Sequence, residues 1–465
     1  MKDLKIDNGK SLHFIGIGGI GMSGLAQLFA SAGCLVSGSD RAAENSENRT
    51  IFAPLHAQGI KIYPQDGSYI SEGKPDFLIY STAIEENNPD LIADIPRVHR
   101  SEALAQAIAM KTAQQSVAVT GSCGKTTVTA WLAETLFNLG ADPSCLDGGL
   151  VNRFRSPENA GNYYSGKGDF FVFEADESDK SLLAYTPDYA LILNIGTDHY
   201  SREELIEVFG TFASQVKKGI VIDAGVFELI KDYVPEQVQV SLFAEAPGDN
   251  VQWYLTDYSI EDGKATAGIN GEYNVSLPVP GYHNALNAVA VMAMADMLGY
   301  ESSEAVPAVE NFSGVWRRFD CAGTMPNGVR VFDDYAHNPE KIVSCIKAAQ
   351  EITDKKVLAI FQPHGFGPLG FMREELFRLL EKSLREQDIF IFLPPYYAGG
   401  TSSFKPTSEE VVENYNETAV KKYLYFKERH QVDEFIEENA ETGDVVLILG
   451  ARDNSLSDWA VKLAQ

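Results

Sequence analysis

The sequence is short of cysteine, of basic residues and of long apolar runs, and each shortage removes a class of protein. Only five cysteines occur in 465 residues, Cys34, Cys123, Cys145, Cys321 and Cys345, and none forms a C-x-x-C pair. A disulfide scaffold and a zinc ribbon are excluded, and free thiols suit a reducing compartment. Lysine and arginine total 38 against 65 acidic residues, a formal charge of -27, with no Lys/Arg block. A phosphate backbone needs a basic face, so the chain is not a general nucleic-acid binder. No uninterrupted apolar stretch reaches membrane-spanning length, and "MKDLKIDNGKSLHF" has no signal-peptide core. Together these read as a cytoplasmic protein without a membrane span.

The remaining composition, 45% hydrophobic and 22% charged, is that of a globular protein. At about 150 residues per domain the length predicts roughly three domains. Residues 11–110 alternate short apolar runs ("LHFIGIG", "CLVSGSD", "IKIYP", "DFLIYS") with helix-like stretches, the pattern of βαβ units on a parallel sheet. The pattern restarts at "SVAVTGSCGKTTVTAWLAETLFNLG" and again after "GVWRRFDCAG". The expected domains are therefore 1–110, 111–318 and 319–465, all α/β. Within the second, residues 236–280 alternate and turn like antiparallel strands, and "HNALNAVAVMAMADMLG" reads as one helix ended by its glycine. No low-complexity linker or short-period repeat is present.

Two glycine loops carry chemistry. "GIGGIG" supplies Gly16, Gly18, Gly19 and Gly21 between a strand and a helix, and Asp40 follows at the end of the next strand candidate. This is close to the dinucleotide fingerprint, in which glycines admit a pyrophosphate and the acid takes a ribose hydroxyl. Alone it would suggest a nicotinamide enzyme. The second loop, "GSCGKTT", lacks the first glycine of the P-loop pattern, because Val119 stands there. It keeps the amides of Gly121, Ser122, Cys123 and Gly124 for phosphate oxygens, Lys125 for the β/γ phosphates, and Thr126 or Thr127 for magnesium. ATP with Mg2+ is the expected ligand. An oxidoreductase reading leaves this second loop unexplained.

"GSCGKTT", "EADESD" (174–179), "NIGTDH" (194–199), "GYHNALNAVA" (281–290), "WRRFD" (316–320) and "DDYAHNP" (333–339), in this order, resemble the motifs of the Mur ligases. The resemblance spans nearly the whole chain. It implies a Rossmann-like N-terminal domain, a central P-loop ATPase-like domain and a C-terminal Rossmann-like domain. It also implies ATP-dependent amide formation through an acyl phosphate in peptidoglycan precursor synthesis. "HFIGIGGIGMSGLA" and "EADESD" look most like the members that join L-alanine to UDP-N-acetylmuramate, or the relative that joins a murein tripeptide during recycling. Expected partners are a UDP-N-acetylmuramate-type sugar nucleotide and an amino acid or peptide amine, on a monomer or weak homodimer. The alternative from another class is a non-catalytic nucleotide-binding regulator on the same fold.

The resemblance also implies roles. Lys125 holds the γ-phosphate, Thr126 and Glu174 position one magnesium ion, and His199 helps position a second; Glu177 is not counted among the ligands. Asn284 contacts adenine, with helix N-capping as its plainer role, and Asp334 contacts the ATP ribose. Arg318 reaches the γ-phosphate from the domain junction, while Arg317 forms a surface salt bridge. His337 and Asn338 face the forming bond, and domain closure assembles the site. The first loop holds UDP, with Asp40 near the uridine or ribose, and Ser81, Thr82, His99, Arg100 and Ser101 line the groove. Three stretches depart from the alanine-adding pattern. Cys123 replaces a histidine, glycines fill "FQPHGFGPLGFM" (361–372) where an arginine, tyrosine and threonine stretch is usual, and "GARDNS" (450–455) is less glycine-rich. The identity of the amine is therefore open.

Overall fold

The computed structural model describes the chain except residues 1–4, 44–48, 93, 197–200, 262, 398–403, 418 and 421–422. Contacts divide it into two compact units: Met1–Tyr258, Thr266–Pro278 and Tyr282–Val315 in the first, and Ser259–Ala265, Val279–Gly281 and Trp316–Gln465 in the second.

The first unit holds one sheet whole and most of a second. The smaller has five parallel strands in the spatial order Lys61–Tyr63, Leu35–Ser39, Ser11–Ile15, Phe77–Tyr80 and Arg97–His99. The larger runs Tyr273–Leu277, Lys264–Ile269, Trp253–Glu261, Gln239–Ala244, Gly219–Asp223, Tyr189–Ile192, Gln115–Thr120, Phe170–Glu174, Ser144–Leu146 and Tyr163–Tyr164. Its interior strand Gln115–Thr120 lies between two parallel neighbours and is buried from Ser116 to Thr120. A strand covered on both faces reads as the continuous run "SVAVT" rather than as an alternation.

That rule also explains where the expectation of antiparallel strands over 236–280 fails. Gln239–Ala244 pairs in parallel with Gly219–Asp223, and its end pairs in parallel with Trp253 and Tyr254. Helix Ala224–Ile230 and the turn Lys231–Tyr233 provide the crossover that a parallel neighbour needs.

Helix Lys125–Asn138 follows the strand Gln115–Thr120 and is buried without a break from Val128 to Leu136, as a helix packed on every side must be. Trp131 stacks on Phe312 with ring centroids 5.0 Å apart, and its Nε1 donates to the Val309 carbonyl at 2.9 Å. Truncating a buried tryptophan costs about 3–5 kcal/mol, so this contact anchors the helix and the loop before it. Just beyond the helix Gly140 takes a left-handed φ of +79° and its amide closes on Phe137.

The two sheets of this unit are joined by helix Ile20–Ser31. Asn162 donates to the Ile20 carbonyl at 2.6 Å and accepts from Gln27 at 2.9 Å, while Ser31 and Tyr163 share a hydrogen bond of 2.7 Å. Gly24 allows the approach, since a Cβ there would lie 2.8 Å from Leu146 Cδ1. Both glycine loops thus sit on one body.

The second unit has a six-stranded sheet in the order Asp320–Thr324, Arg330–Asp334, Val445–Gly450, Val357–Gln362, Ile389–Phe392 and Tyr423–Tyr425, parallel except at the first pair. Successive residues of Val445–Gly450 enter opposite cores, Val445, Leu447 and Leu449 on one face and Val446 and Ile448 on the other. Helices cover both faces, as a doubly wound sheet requires. Among the described residues no helix is long and apolar enough to cross a membrane.

Candidate active site

In the five-stranded sheet the expected groove residues follow the C-terminal ends of parallel strands, where open α/β sheets take ligands. Gly16 has φ +77° and its amide donates to the Ser39 carbonyl at 2.8 Å; Gly19 caps helix Ile20–Ser31. Asp40 is drawn onto the loop itself: its carboxylate accepts from Gly18 N at 2.8 Å and from Ala42 N at 2.9 Å. A Cβ at Gly18 would stand 2.8 Å from that carboxylate, so only glycine fits. Ser81 and Thr82 follow the strand Phe77–Tyr80, half-buried and exposed. His99 caps helix Arg100–Met110 by accepting from Ser101 N and pairs with Ser101 Oγ at 2.8 Å. Its Nε2 is buried without a hydrogen-bond partner, and burial lowers its pKa. The Arg100 guanidinium covers Gly21, 3.0 Å from where a Cβ would be.

The nucleotide-type loop follows the same logic in the larger sheet. Gly121 and Gly124 have φ of +149° and +87°, and Gly124 caps helix Lys125–Asn138, whose first turn carries Lys125, Thr126 and Thr127. A Cβ at Gly121 would lie 2.9 Å from Leu193 Cβ, and one at Gly124 would lie 3.3 Å from Asn287 Oδ1. Glycine at both places lets the backbone amides turn toward an anion at a helix N-terminus. Lys125 Nζ donates to the Gly121 carbonyl at 2.9 Å and to Glu177 Oε2 at 2.5 Å, with Asp176 Oδ1 at 3.6 Å. Burial works against the lysine's charge, but Glu177, Asp176 and Glu174 outweigh it and raise its pKa. Burial raises the pKa of Glu177 in turn, partly offset by Lys125.

Asn194, quoted in "NIGTDH" but given no role by sequence reading, clamps this loop. Its Oδ1 accepts from Cys123 N at 2.8 Å and its Nδ2 donates to the Cys123 carbonyl at 3.0 Å. Ser122 adds a bond to Gly196 N at 2.8 Å. Position after strand Tyr189–Ile192, on the edge that bears the loop, was the available signal. The sequence reading also missed the turn Gly148–Gly149. Gly148 N donates to Glu174 at 3.0 Å, and a Cβ at Gly149 would lie 2.8 Å from Thr126 Cγ2. Glu174 and Thr126 therefore flank one narrow turn, Glu174 through its carboxylate and Thr126 through its methyl group. His199 lies outside the described residues.

Asn284 is buried in the first turn of helix Tyr282–Met297 and accepts from Asn287 at 3.1 Å. It is the third residue of that helix, one turn past the cap position, so the N-cap role does not hold.

In the second unit Arg317 corrects the sequence expectation. It forms a salt bridge, but not at the surface: it is 1% exposed, 3.3 Å from Asp333, and also donates to the carbonyls of Gly450 and Asp453. Left-handed φ at Arg317 (+58°) and Phe319 (+48°) turns the two neighbours inward and leaves Arg318 half-buried between them. Asp334 holds this bend, accepting from Phe319 N at 2.6 Å and Ala336 N at 2.7 Å. Arg318 lies 6.0 Å from the Tyr335 ring.

His337 and His364 meet edge to face at 5.1 Å. Burial lowers both pKa values, that of His364 to about 4, with His337 and Arg452 adding to the effect. Both rings are neutral near pH 7, so His337 is held by its bond to the Tyr335 carbonyl at 3.0 Å. Asn338 instead caps helix Pro339–Glu351. Gln362 Oε1 and His364 Nδ1 are buried without partners, polar atoms left facing the same strand ends. The glycine-filled stretch 365–370 folds as the start of helix Phe366–Ser383, capped by Gly365.

Two glycine loops at strand-to-helix junctions of one unit, and a doubly wound sheet in the other, define a multidomain α/β class of protein. Three family models match in order: Mur ligase family, catalytic domain, over residues 11–112; Mur ligase middle domain, over 119–295; and Mur ligase, glutamate ligase domain, over 317–452. The UDP-N-acetylmuramate–L-alanine ligase of Chelativorans sp. is 32% identical over 476 residues, covering 97% of both chains. The solved UDP-N-acetylmuramate-alanine ligase from Thermotoga maritima superposes with a TM-score of 0.79 at 28% identity, covering 97% of this chain and 98% of that one. A murein peptide ligase from Psychrobacter arcticus shares the fold at TM-score 0.66 and 22% identity, covering 98% and 99%. The chain belongs to the Mur ligase family. Membership makes it an amide-forming ligase with three α/β domains.

Proposed function

We propose that this chain is an ATP-dependent ligase of peptidoglycan precursor synthesis that joins L-alanine or a related amine to UDP-N-acetylmuramate. The observation that carries the reading is the loop Gly121–Lys125, turned by two left-handed glycines and clamped by Asn194 at the mouth of a buried helix. We take the domain boundaries near 110 and 318.

The carboxylate of the sugar substrate attacks the γ-phosphorus, and ADP leaves. The amine then attacks the acyl phosphate carbonyl, and phosphate leaves with one former carboxylate oxygen. Such transfer needs alignment and charge neutralisation more than covalent help. Lys125 and the amides of Gly121 and Gly124 hold the phosphates, since those of Ser122 and Cys123 are taken by Asn194; Asn284 takes the adenine, and Asp334 the ribose. Arg318 offers a planar fork to the γ-phosphate, which lysine would not. Thr126, Glu174 and His199 would hold magnesium, which supplies charge neutralisation at the phosphates. The first glycine loop, with Asp40, Ser81, Thr82, His99, Arg100 and Ser101, holds the UDP moiety. Neutral His337, whose lowered pKa keeps a lone pair free, orients the amine and accepts its proton.

The amine is the least constrained part, because glycines replace the usual side chains at 365–370. Phosphate release with ATP, magnesium and UDP-N-acetylmuramate, scanned over L-alanine, glycine, L-serine, the other amino acids and the L-Ala-D-Glu-diamino-acid tripeptide, tests the reading. Release dependent on one amine supports it and names the amine; dependence on the tripeptide gives the recycling ligase. Absence of release with every amine overturns the reading and leaves a nucleotide-binding regulator.

A further inference from the structure

The acidic loop after strand Phe170–Glu174 holds two cations that serve different ligands. On one side Glu177 and Asp176 hold Lys125 of the nucleotide loop, at 2.5 and 3.6 Å. On the other, Asp179 Oδ2 accepts from Arg100 Nη2 at 3.0 Å, and that guanidinium covers Gly21 of the first glycine loop. Both pairs are shielded: the Arg100 and Asp179 side chains are 24% and 17% exposed, those of Lys125 and Glu177 13% and 6%.

The loop is also closed on itself. Lys180 N donates to the Glu177 carbonyl at 3.0 Å, Ser181 N donates to Asp179 Oδ1 at 2.9 Å, and Ser181 Oγ donates to the Asp176 carbonyl at 3.0 Å. Asp179 is thereby linked through Ser181 to the backbone of Asp176, whose carboxylate lies 3.6 Å from Lys125.

We infer that Asp179 and Arg100 are positioning residues that couple occupancy of the sugar-nucleotide loop to the availability of Lys125 for ATP. The inference rests on the assignment of the two loops given above. A diphosphate at Gly21 competes with Asp179 for the Arg100 guanidinium, since both are anions seeking the same donors. Once Arg100 turns to the diphosphate, the acidic loop loses one of its two cationic anchors. ATP phosphates then have less to displace when they take Lys125 from Glu177. The sugar nucleotide thus tightens ATP binding, and ATP tightens sugar-nucleotide binding by the same factor.

Calorimetric titration of magnesium and a non-hydrolysable ATP analogue, with and without saturating UDP-N-acetylmuramate, tests this on the full chain. The native protein is expected to bind the analogue about fivefold or more tightly when the sugar nucleotide is present. In Asp179→Asn the analogue binds more tightly than to native protein in the absence of sugar nucleotide, and the ratio falls to about one. A native ratio of about one, or an unchanged ratio in the variant, overturns the coupling while leaving the ligase reading intact. Native protein that binds neither ligand overturns that reading and the coupling with it. Hydrogen exchange on the unmodified chain gives a second reading independent of the variant's folding. UDP-N-acetylmuramate alone is expected to speed exchange at the amides of Ser178 to Ser181, and unchanged or slowed exchange overturns the inference.

Discussion

Lys125 Nζ stands 2.5 Å from Glu177 Oε2 and 2.9 Å from the carbonyl oxygen of Gly121, so the lysine that would meet ATP is tied back to its own loop and to a buried carboxylate. Lys125→Ala removes the phosphate contact and leaves Glu177 without its cation. Turnover should fall on the order of 10³-fold or more, with about 3 kcal/mol lost from stability. The double variant Lys125→Ala/Glu177→Gln should recover much of the stability and none of the turnover. Phosphate release and denaturant unfolding on the same samples check both halves.

Asn194 makes a narrower prediction. Its amide group meets both the N–H and the carbonyl of Cys123, so Asn194→Ala frees the loop without touching a charged contact. The expected stability loss is about 1–2 kcal/mol. Affinity for ATP should weaken by roughly tenfold, one such bond's worth of ordering lost at the loop. Titration of ATP against the variant reads this directly.

The neighbours Arg317 and Arg318 should behave oppositely. Arg317→Ala leaves Asp333 buried without its partner and should cost about 3–5 kcal/mol. Arg318→Ala should leave the melting temperature near native and lower kcat, because that side chain is half-exposed. A melt and a turnover assay on the pair separate the roles, and equal effects on both would contradict them.

Asp333 also predicts a pH dependence. Burial raises its pKa to about 6, against the opposing pull of Arg317 and Ser457. A carboxyl raised in the folded state binds more protons than in the unfolded chain. Its stabilising contribution is complete below the usual carboxylate range and is lost as pH rises through about 6, a change of about 3 kcal/mol. Other buried carboxyls contribute too, Glu134 and Glu177 in the same direction and Asp176 and Asp388 in the opposite one, so the difference between native protein and Asp333→Asn isolates this one. Urea unfolding at about pH 4 and about pH 7 should show a smaller fall for the variant.

Much of this was legible in the sequence because the informative features are local. Strand, glycines and helix are contiguous in "HFIGIGGIGMSGLA" and "SVAVTGSCGKTT", so chain order alone sets each loop at the C-terminal end of a parallel strand. What escaped depends on residues far apart in the chain. Asn194 acts on Cys123, 71 residues earlier, and Gly148 on Glu174, 26 residues later. The direction of Gln239–Ala244 was misread because its consecutive buried residues Ser241, Leu242 and Phe243, the run of a strand covered on both faces, sit within a segment that otherwise alternates and turns. Arg317 was misplaced because "WRRFD" does not reveal the two left-handed residues that turn one arginine in and leave its neighbour half-buried.

The central claim, that a carboxylate is activated by phosphate before an amine attacks it, has a direct test. UDP-N-acetylmuramate labelled with ¹⁸O in its carboxylate is incubated with the chain, ATP, magnesium and the amine that supports turnover, and the released phosphate is weighed by mass spectrometry. Transfer of one ¹⁸O atom to each phosphate is the predicted result, since the attacking carboxylate oxygen leaves with it. Phosphate free of the label would mean that ATP is hydrolysed by water and would contradict the account.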